Sequence, residues 1–269
     1  MTAFFDRLAD RIADIDSIVS VGLDPDTDRL PDDVRDADLP RWEFNRRIID
    51  ATTDHAAVFK PNAAFYEDPD GWRALEKTVE HARDAGVPVL LDAKRADIGN
   101  TSRQYAKVLD SVDAITLNPF LGRDSLAPFL DHEEAGCFLL CRTSNPGGAD
   151  VQELELADGD LVYERIADLA SEWSAAGNRN VGLVVGATTP DELRRVRERV
   201  PDLPFLVPGV GAQGGDAEAA ATYATATNGA GLVNSTRGII FAGEESDQSY
   251  ADAAEEAARD LKERLNQYR

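Results

Sequence analysis

The residues of greatest chemical interest lie at 92–97, where Asp92, Lys94 and Asp97 form an Asp-x-Lys-x-x-Asp sequence. If residues 87–94 form a strand, Asp92 and Lys94 point to the same side, because alternate residues of a strand share a face. Opposite charges placed together hold each other ionised despite partial burial. Buried ion pairs seldom improve stability over apolar packing, so the array favours chemistry by a fixed ammonium group over a structural salt bridge.

Other polar residues fall at the ends of neighbouring predicted strands. Asp24 ends the first such run, Lys60 ends the second and is followed by Asn62, and Ser144 lies at the end of the fifth. In a parallel barrel the carboxyl ends of the strands meet at one rim, where active sites lie. Four charged residues at one end of the barrel, Asp24, Lys60, Asp92 and Lys94, are hard to explain by packing. We therefore predict a single active site at this end, the mouth of the barrel.

Two segments, one rich in glycine and the other carrying an arginine, predict a phosphate site. Residues 208–216 (PGVGAQGGD) follow the seventh apolar run, and Arg237 follows the eighth. Glycines allow backbone N–H groups to approach an anion closely, and an arginine offers a fork of donors to phosphate oxygens. The structural alternative is that the glycines make tight turns and that Arg237 sits in a surface ion pair.

The elements that must hold these residues alternate between strands and helices along the chain. Eight short apolar runs predict strands, and segments with a period near 3.6 between them predict helices. The runs lie at 17–23, 55–60, 87–94, 113–120, 137–144, 181–187, 204–210 and 229–236. An open doubly wound sheet also gives such repeats, but eight units in 269 residues favour a (β/α)8 barrel. We expect one domain, residues 1–269.

The charge of the chain limits its partners. With 50 acidic and 28 basic residues the net charge is −22, which repels nucleic acid and anionic lipid. An acidic chain with only five lysines also suggests a halophilic source. No apolar run is long enough to span a membrane, and residues 1–16 lack the features of a secretory signal. We therefore expect a cytoplasmic protein with no nucleic-acid or membrane partner.

Other chemistries have little support in the sequence. His55, His81 and His132 fall away from the strand ends, so Ser144 has no histidine partner for a Ser-His-Asp hydrolase. Cys137 and Cys141 lie in one predicted strand, too far apart for a disulfide, and are expected to be buried free thiols. Aspartates at the rim could hold a metal ion, but the interleaved lysines would repel it. We predict no metal site.

At this point the sequence resembles the orotidine 5′-phosphate decarboxylase family, particularly its longer bacterial and archaeal type. The resemblance depends chiefly on LDAKRADIGNTSRQYA and covers essentially the whole barrel. The matching segments are 21–26, 59–67, 91–106, 143–148, 208–216 and 236–240. It implies conversion of orotidine 5′-phosphate to uridine 5′-phosphate in pyrimidine biosynthesis, with no cofactor.

The resemblance also implies a role for each residue. Lys94 would protonate C6 of the pyrimidine, and Asp92 would lie against the substrate carboxylate. Asp24 and Lys60 would bind the ribose hydroxyls and complete the charge network. The remaining substrate-binding positions would be Asn62, Ser144 at the pyrimidine amide, and Gln213, Arg237 and the Gly238 backbone at the phosphate. Asp97, Ile98 and Thr101 would reach into the site of a partner subunit, which implies a homodimer with two shared sites.

Three rival interpretations stay open at the level of sequence. A sister enzyme with the same signature, such as a hexulose-phosphate synthase, would need Mg²⁺ and a pentulose phosphate. A Schiff-base aldolase would use Lys94 or Lys60 as a free amine, which flanking aspartates oppose. A catalytically dead binding barrel would not require every charge at the strand ends.

Overall fold

A computed structural model describes residues 3–210, 214–244 and 248–269 of the chain. Within these ranges eight strands form one sheet, and they fall where the eight apolar runs predict them. The strands are β1 Val19–Leu23, β2 Ala56–Pro61, β3 Leu90–Arg95, β4 Ala114–Leu117, β5 Gly136–Arg142, β6 Val181–Val185, β7 Phe205–Pro208 and β8 Leu232–Ser235.

The strands close into a barrel. Their order is β2-β1-β8-β7-β6-β5-β4-β3, and every ladder is parallel. The two end strands are joined by isolated parallel bridges, Phe59 with Val89 and Asn62 with Asp92. An open doubly wound sheet would leave these strands as separate edges, so the predicted (β/α)8 barrel is confirmed.

Helices surround the sheet and connect consecutive strands. Those of the described residues are α1 Phe4–Ile15, α2 Asp32–Arg35, α3 Pro40–Thr52, α4 Pro69–Asp84, α5 Gly99–Ala106, α6 Arg123–Leu130, α7 Ala149–Gln152, α8 Val162–Ala175, α9 Pro190–Arg199, α10 Ala217–Ala224, α11 Arg237–Ile240 and α12 Tyr250–Asn266. Between β4 and β5 lies only the eight-residue α6, which contains Pro128. No described helix has the length and apolar character needed to cross a membrane.

Helix α1 covers the amino-terminal end of the barrel. Phe5 packs edge-to-face on Phe138 of β5, with 5.4 Å between ring centroids, and Phe4 lies 6.4 Å from the same ring. Gly136 makes this approach possible, because a Cβ there would lie 2.3 Å from the Phe4 ring. With this end filled by aromatic side chains, the polar groups concentrate at the opposite end of the strands.

The two cysteines are buried free thiols, as predicted. Cys137 donates its S–H to the Phe129 carbonyl and Cys141 donates to the Tyr163 carbonyl. Burial raises the pKa of both thiols well above the usual range, so both stay protonated and unreactive.

Candidate active site

Four charged side chains meet at the carboxyl end of the barrel, from the ends of three adjacent strands. Lys94 Nζ lies 2.6 Å from Asp92 Oδ1, and Lys60 Nζ lies 3.2 Å from Asp92 Oδ2. Asp24, directly after β1, couples electrostatically to both lysines and to Asp92. Asp92 is only 13% exposed whereas Lys94 is 48% exposed, so a nearly buried carboxylate holds an ammonium group that is open to the barrel mouth.

The backbone at Lys94 departs from a regular strand. Its φ is +50°, a left-handed conformation that costs a lysine about 1–3 kcal/mol. The pairing of β3 with β4 shifts register between Leu91 and Arg95. Regular strand alternation was expected to bring Asp92 and Lys94 together. The two side chains do meet, and both residues lie in β3, but the backbone at Lys94 is left-handed and not that of a regular strand.

Thr116 lies beneath this pair and was not among the residues predicted from the sequence. Its Oγ1 accepts a hydrogen bond from the Lys94 N–H at 2.9 Å and donates one to Asp92 Oδ1 at 2.8 Å. Thr116 lies in the middle of the predicted run 113–120, whereas the predicted site residues lie at, near or beyond the ends of theirs. The available signal was a hydroxyl residue within the otherwise apolar run AITL, two positions before Asn118.

Electrostatics keep the array charged. Burial alone would raise the pKa of Asp92, but the charges of Lys60 and Lys94 and the hydrogen bonds from Lys94 and Thr116 hold it well below its usual range. Burial alone would lower the pKa of Lys60, but Asp92 and Asp24 raise it above the ordinary value. Asp92 is therefore a carboxylate and Lys60 an ammonium at neutral pH.

The pKa of Asp24 is shifted in the opposite direction to that of Asp92. Burial raises its pKa, and attraction to Lys60 only partly offsets this effect. Its Oδ1 is buried and has no hydrogen-bond partner among the described residues. Asn62 supplies a backbone hydrogen bond to Asp24, while its own side chain accepts from the Ala64 N–H. A buried acceptor without a donor at a pocket mouth is suited to a hydroxyl group of a ligand.

Asp97, Ile98 and Thr101 do not join these four residues. Asp97 accepts a hydrogen bond from the Ile98 N–H at 2.7 Å and pairs with neither lysine within the described part of the chain. Ile98 is 65% exposed, and Thr101 is exposed on α5. Their expected role in the site of a partner subunit stays a prediction.

The predicted phosphate side is formed by neighbouring strands, because β7 pairs with β8. Gly209 and Gly214 have φ of +104° and +72°, which only glycine adopts readily. Arg237 opens the short helix α11 and is exposed together with Gly238. It has no ion-pair partner among the described residues, so the alternative of a surface ion pair finds no support. Gln213 lies outside the described residues.

The loop that carries Ser144 is held by the segment that follows it. Thr143 donates its N–H to Gln152 Oε1 at 2.9 Å, and Gln152 Nε2 donates to Thr143 Oγ1 at the same distance. Arg142, almost fully buried, pairs with Glu153 at 2.6 Å. Ser144 itself accepts a hydrogen bond at its carbonyl from the Thr188 hydroxyl. These contacts fix the backbone on which Ser144 sits.

Comparison with known proteins agrees with this site. The model of the orotidine 5′-phosphate decarboxylase / HUMPS family matches residues 17–252. The chain is 66% identical to the orotidine 5′-phosphate decarboxylase of Haloarcula marismortui over 99% of both chains. It is 67% identical to that of Halorubrum lacusprofundi, over 99% of this chain and all of the relative.

A solved structure shows the same likeness. The Leishmania donovani OMP decarboxylase is 38% identical, with a TM-score of 0.82, over 99% of this chain and 98% of that one. The match extends over the whole barrel, including the segments that carry Asp24, Lys60, Asp92 and Lys94. The chain therefore belongs to the orotidine 5′-phosphate decarboxylase family.

Proposed function

We propose that this protein decarboxylates orotidine 5′-phosphate to uridine 5′-phosphate, with no cofactor, and that Lys94 protonates C6. The observation that carries the proposal is an ammonium group, open to the barrel mouth, held 2.6 Å from an ionised and nearly buried carboxylate. We place the reaction in the cytoplasm, as a step of pyrimidine biosynthesis, on one barrel domain spanning residues 1–269.

The array suits a reaction that builds negative charge on carbon. When the bond from C6 to the carboxylate breaks, the electron pair stays on C6 and carbon dioxide leaves. A fixed ammonium beside that carbon stabilises the developing charge and then transfers its proton to C6. Asp92 keeps the Lys94 ammonium oriented. Lys60 contacts the other carboxylate oxygen of Asp92 and balances the negative charge of that residue. The Lys94 amine regains a proton from solvent after each turnover.

Groups remote from C6 would bind the rest of the substrate. Asp24 and Lys60 would hold the ribose hydroxyls, together with Asn62, and Ser144 would contact the pyrimidine amide. Arg237, the Gly238 backbone and Gln213 would grip the phosphate. Binding energy from these remote contacts can orient the base over Lys94, since such energy is available to lower the barrier at the reacting carbon.

The geometry opposes the rival enzymes. Both carboxylate oxygens of Asp92 already accept from lysine ammonium groups, at 2.6 and 3.2 Å, and these two cations would repel the Mg²⁺ that a hexulose-phosphate synthase needs. A Schiff-base aldolase needs an amine with a free lone pair, whereas both lysines are ion-paired with Asp92 and the pKa of Lys60 is raised by Asp92 and Asp24. The curated relatives at 66% and 67% identity are also decarboxylases by name.

We propose in addition that the active unit is a homodimer. Phe120 and Leu121, in the segment between β4 and α6, are 83% and 49% exposed, and Ile98 before α5 is 65% exposed. Helix α5 packs against α6, so these apolar side chains lie on one side of the barrel mouth. Exposed apolar groups of this size on a chain of net charge −22 mark a contact surface. The same surface carries Asp97 and Thr101, which would complete the site of the partner.

Subunit mixing tests the mechanism and the dimer together. Loss of orotate absorbance is followed with EDTA present, for the wild type, Lys94→Ala, Asp97→Ala and the surface control Lys107→Ala. We expect activity only in the wild type and the control. An equimolar mixture of Lys94→Ala and Asp97→Ala should regain up to about a quarter of wild-type activity, because a mixed dimer holds one site with both residues intact.

Each part of the proposal has its own contrary result. A wild type that is inactive on orotidine 5′-phosphate refutes the function. Near-normal turnover by Lys94→Ala refutes the role of that lysine. A mixture that stays inactive, although the two variants exchange subunits, refutes the shared sites.

A further inference from the structure

The most informative unassigned group at the mouth is the hydroxyl of Thr116. Thr116 is 1% exposed and lies in β4, whose other residues Ala114, Ile115 and Leu117 are buried and apolar. Valine has nearly the shape of threonine and would fill the same space. Packing therefore does not account for the hydroxyl.

The Thr116 hydroxyl makes one hydrogen bond to each residue of the charged pair, as a donor to Asp92 and as an acceptor from Lys94. It donates its only proton to Asp92 Oδ1 at 2.8 Å, the same oxygen that accepts from Lys94 Nζ. It accepts from the Lys94 backbone N–H at 2.9 Å. One side chain thus fixes both ends of Lys94: its backbone directly, and its ammonium group through Asp92.

This double contact lies at the irregular point of the barrel. The ladder between β3 and β4 shifts register between Leu91 and Arg95, and the Lys94 N–H bonds there to the Thr116 side chain in place of a strand backbone. Lys94 also has a left-handed φ of +50°. Such a conformation persists only when the surroundings hold it, and Thr116 supplies the acceptor that holds it.

We infer that Thr116 is a positioning residue for decarboxylation, which sets the direction of the Lys94 ammonium through Asp92 and the Lys94 backbone. The inference rests on the proposed function. Because Thr116 is buried beneath the pair, it acts on the chemical step more than on substrate binding. Its loss should therefore lower kcat and leave KM nearly unchanged.

The test compares Thr116→Val, which removes the hydroxyl, with Thr116→Ser, which keeps it. We expect Thr116→Val to lower kcat about tenfold to a hundredfold, with KM within about threefold of wild type. Thr116→Ser should stay within about threefold in kcat. Thr52→Val is the matched control, since Thr52 is a buried threonine of α3 whose hydroxyl donates to the Ile48 carbonyl, and its kcat should be unchanged.

A second measurement tests proton transfer by Lys94 separately from the loss of carbon dioxide. A catalyst of C6 protonation also catalyses its reverse, so the wild type should exchange the C6 hydrogen of uridine 5′-phosphate with D₂O, followed by NMR. Exchange by Thr116→Val should fall in parallel with kcat. If the variant loses decarboxylation but keeps exchange, the hydroxyl does not position Lys94, and the inference is overturned.

Three further results would overturn it: a Thr116→Val kcat within twofold of wild type, an equal loss in Thr116→Ser, or a change confined to KM. If Thr116→Val does not fold, Thr116→Ala replaces it, and equal rates in the Ala and Ser variants likewise overturn the inference. A wild type without activity on orotidine 5′-phosphate would instead refute the proposed function and is recognised before any variant is compared.

Discussion

Asp24→Asn should make the substrate-free protein more stable at neutral pH while it removes most of the activity. Asp24 has a raised pKa, chiefly from burial and partly offset by Lys60, and its Oδ1 has no hydrogen-bond partner among the described residues. An aspartate in an unfolded chain titrates near pH 3.9. Between that value and its higher folded pKa, Asp24 binds its proton more tightly in the folded state, so the free energy of unfolding falls as pH rises.

The expected gain is small but measurable. Asparagine removes the negative charge that burial penalises, and leaving a buried group without full compensation costs about 1–3 kcal/mol, more for a charged group than for a neutral one. Asp24 recovers part of this cost from Lys60 and from the Asn62 backbone, so we take about 1 kcal/mol, at the low end of that range. For a protein of this size that is a rise in Tm of about 2–4 °C. Lys60 keeps its other carboxylate partner, Asp92, at 3.2 Å, so it stays charged in the variant.

Thermal unfolding of wild type and Asp24→Asn is compared at pH 8 and pH 5, in one fixed KCl concentration and without ligand. Both values lie above the pI of about 4.4, where net charge keeps the chain in solution. The advantage of the variant should not be smaller at pH 8 than at pH 5, because the stability that a raised pKa gives to Asp24 is lost as pH rises, whereas asparagine does not titrate. Asp28→Asn, at an exposed position of the same loop, should show no such gain. A variant less stable than wild type at pH 8, or an advantage that grows toward pH 5, would refute the reasoning.

Two further predictions concern the phosphate side and the surface. Arg237→Ala should raise KM about tenfold to a hundredfold, which corresponds to the loss of a charged hydrogen bond, and added guanidinium should restore part of the lost binding. Arg194→Ala, on the outer helix α9, is the control. An unchanged KM in Arg237→Ala would contradict the assignment. Wild-type Tm should rise from 0.2 to 3 M KCl, because salt screens the self-repulsion of a chain of charge −22. A falling Tm would remove the halophilic hypothesis.

The barrel was predictable from the sequence because most of the strands are buried on both faces, so an apolar run marks them without further information. The expectation that Asp24, Lys60 and Asp92 share one rim followed from their places near the ends of predicted strands of a parallel barrel. The left-handed turn at Lys94 was not predictable, since it depends on how β3 pairs with β4, which the pattern of residues 87–94 does not contain. Thr116 was missed for the same reason: its partners are set by that shifted ladder.

The acidic surface and an anionic substrate are compatible once the charges of the mouth are counted. Asp24 and Asp92 balance Lys60 and Lys94, so these four groups together contribute no net attraction for a phosphate. Arg237, without an ion-pair partner among the described residues, is then the cation that favours an anion at the rim. Long-range repulsion from the surface is screened within about 3 Å at 1 M salt, whereas the contacts of Asp92 at 2.6 and 3.2 Å are nearly buried and screened much less. The relatives at 66% and 67% identity come from halophilic archaea. High salt would therefore weaken the field of the surface while it leaves the charged array intact.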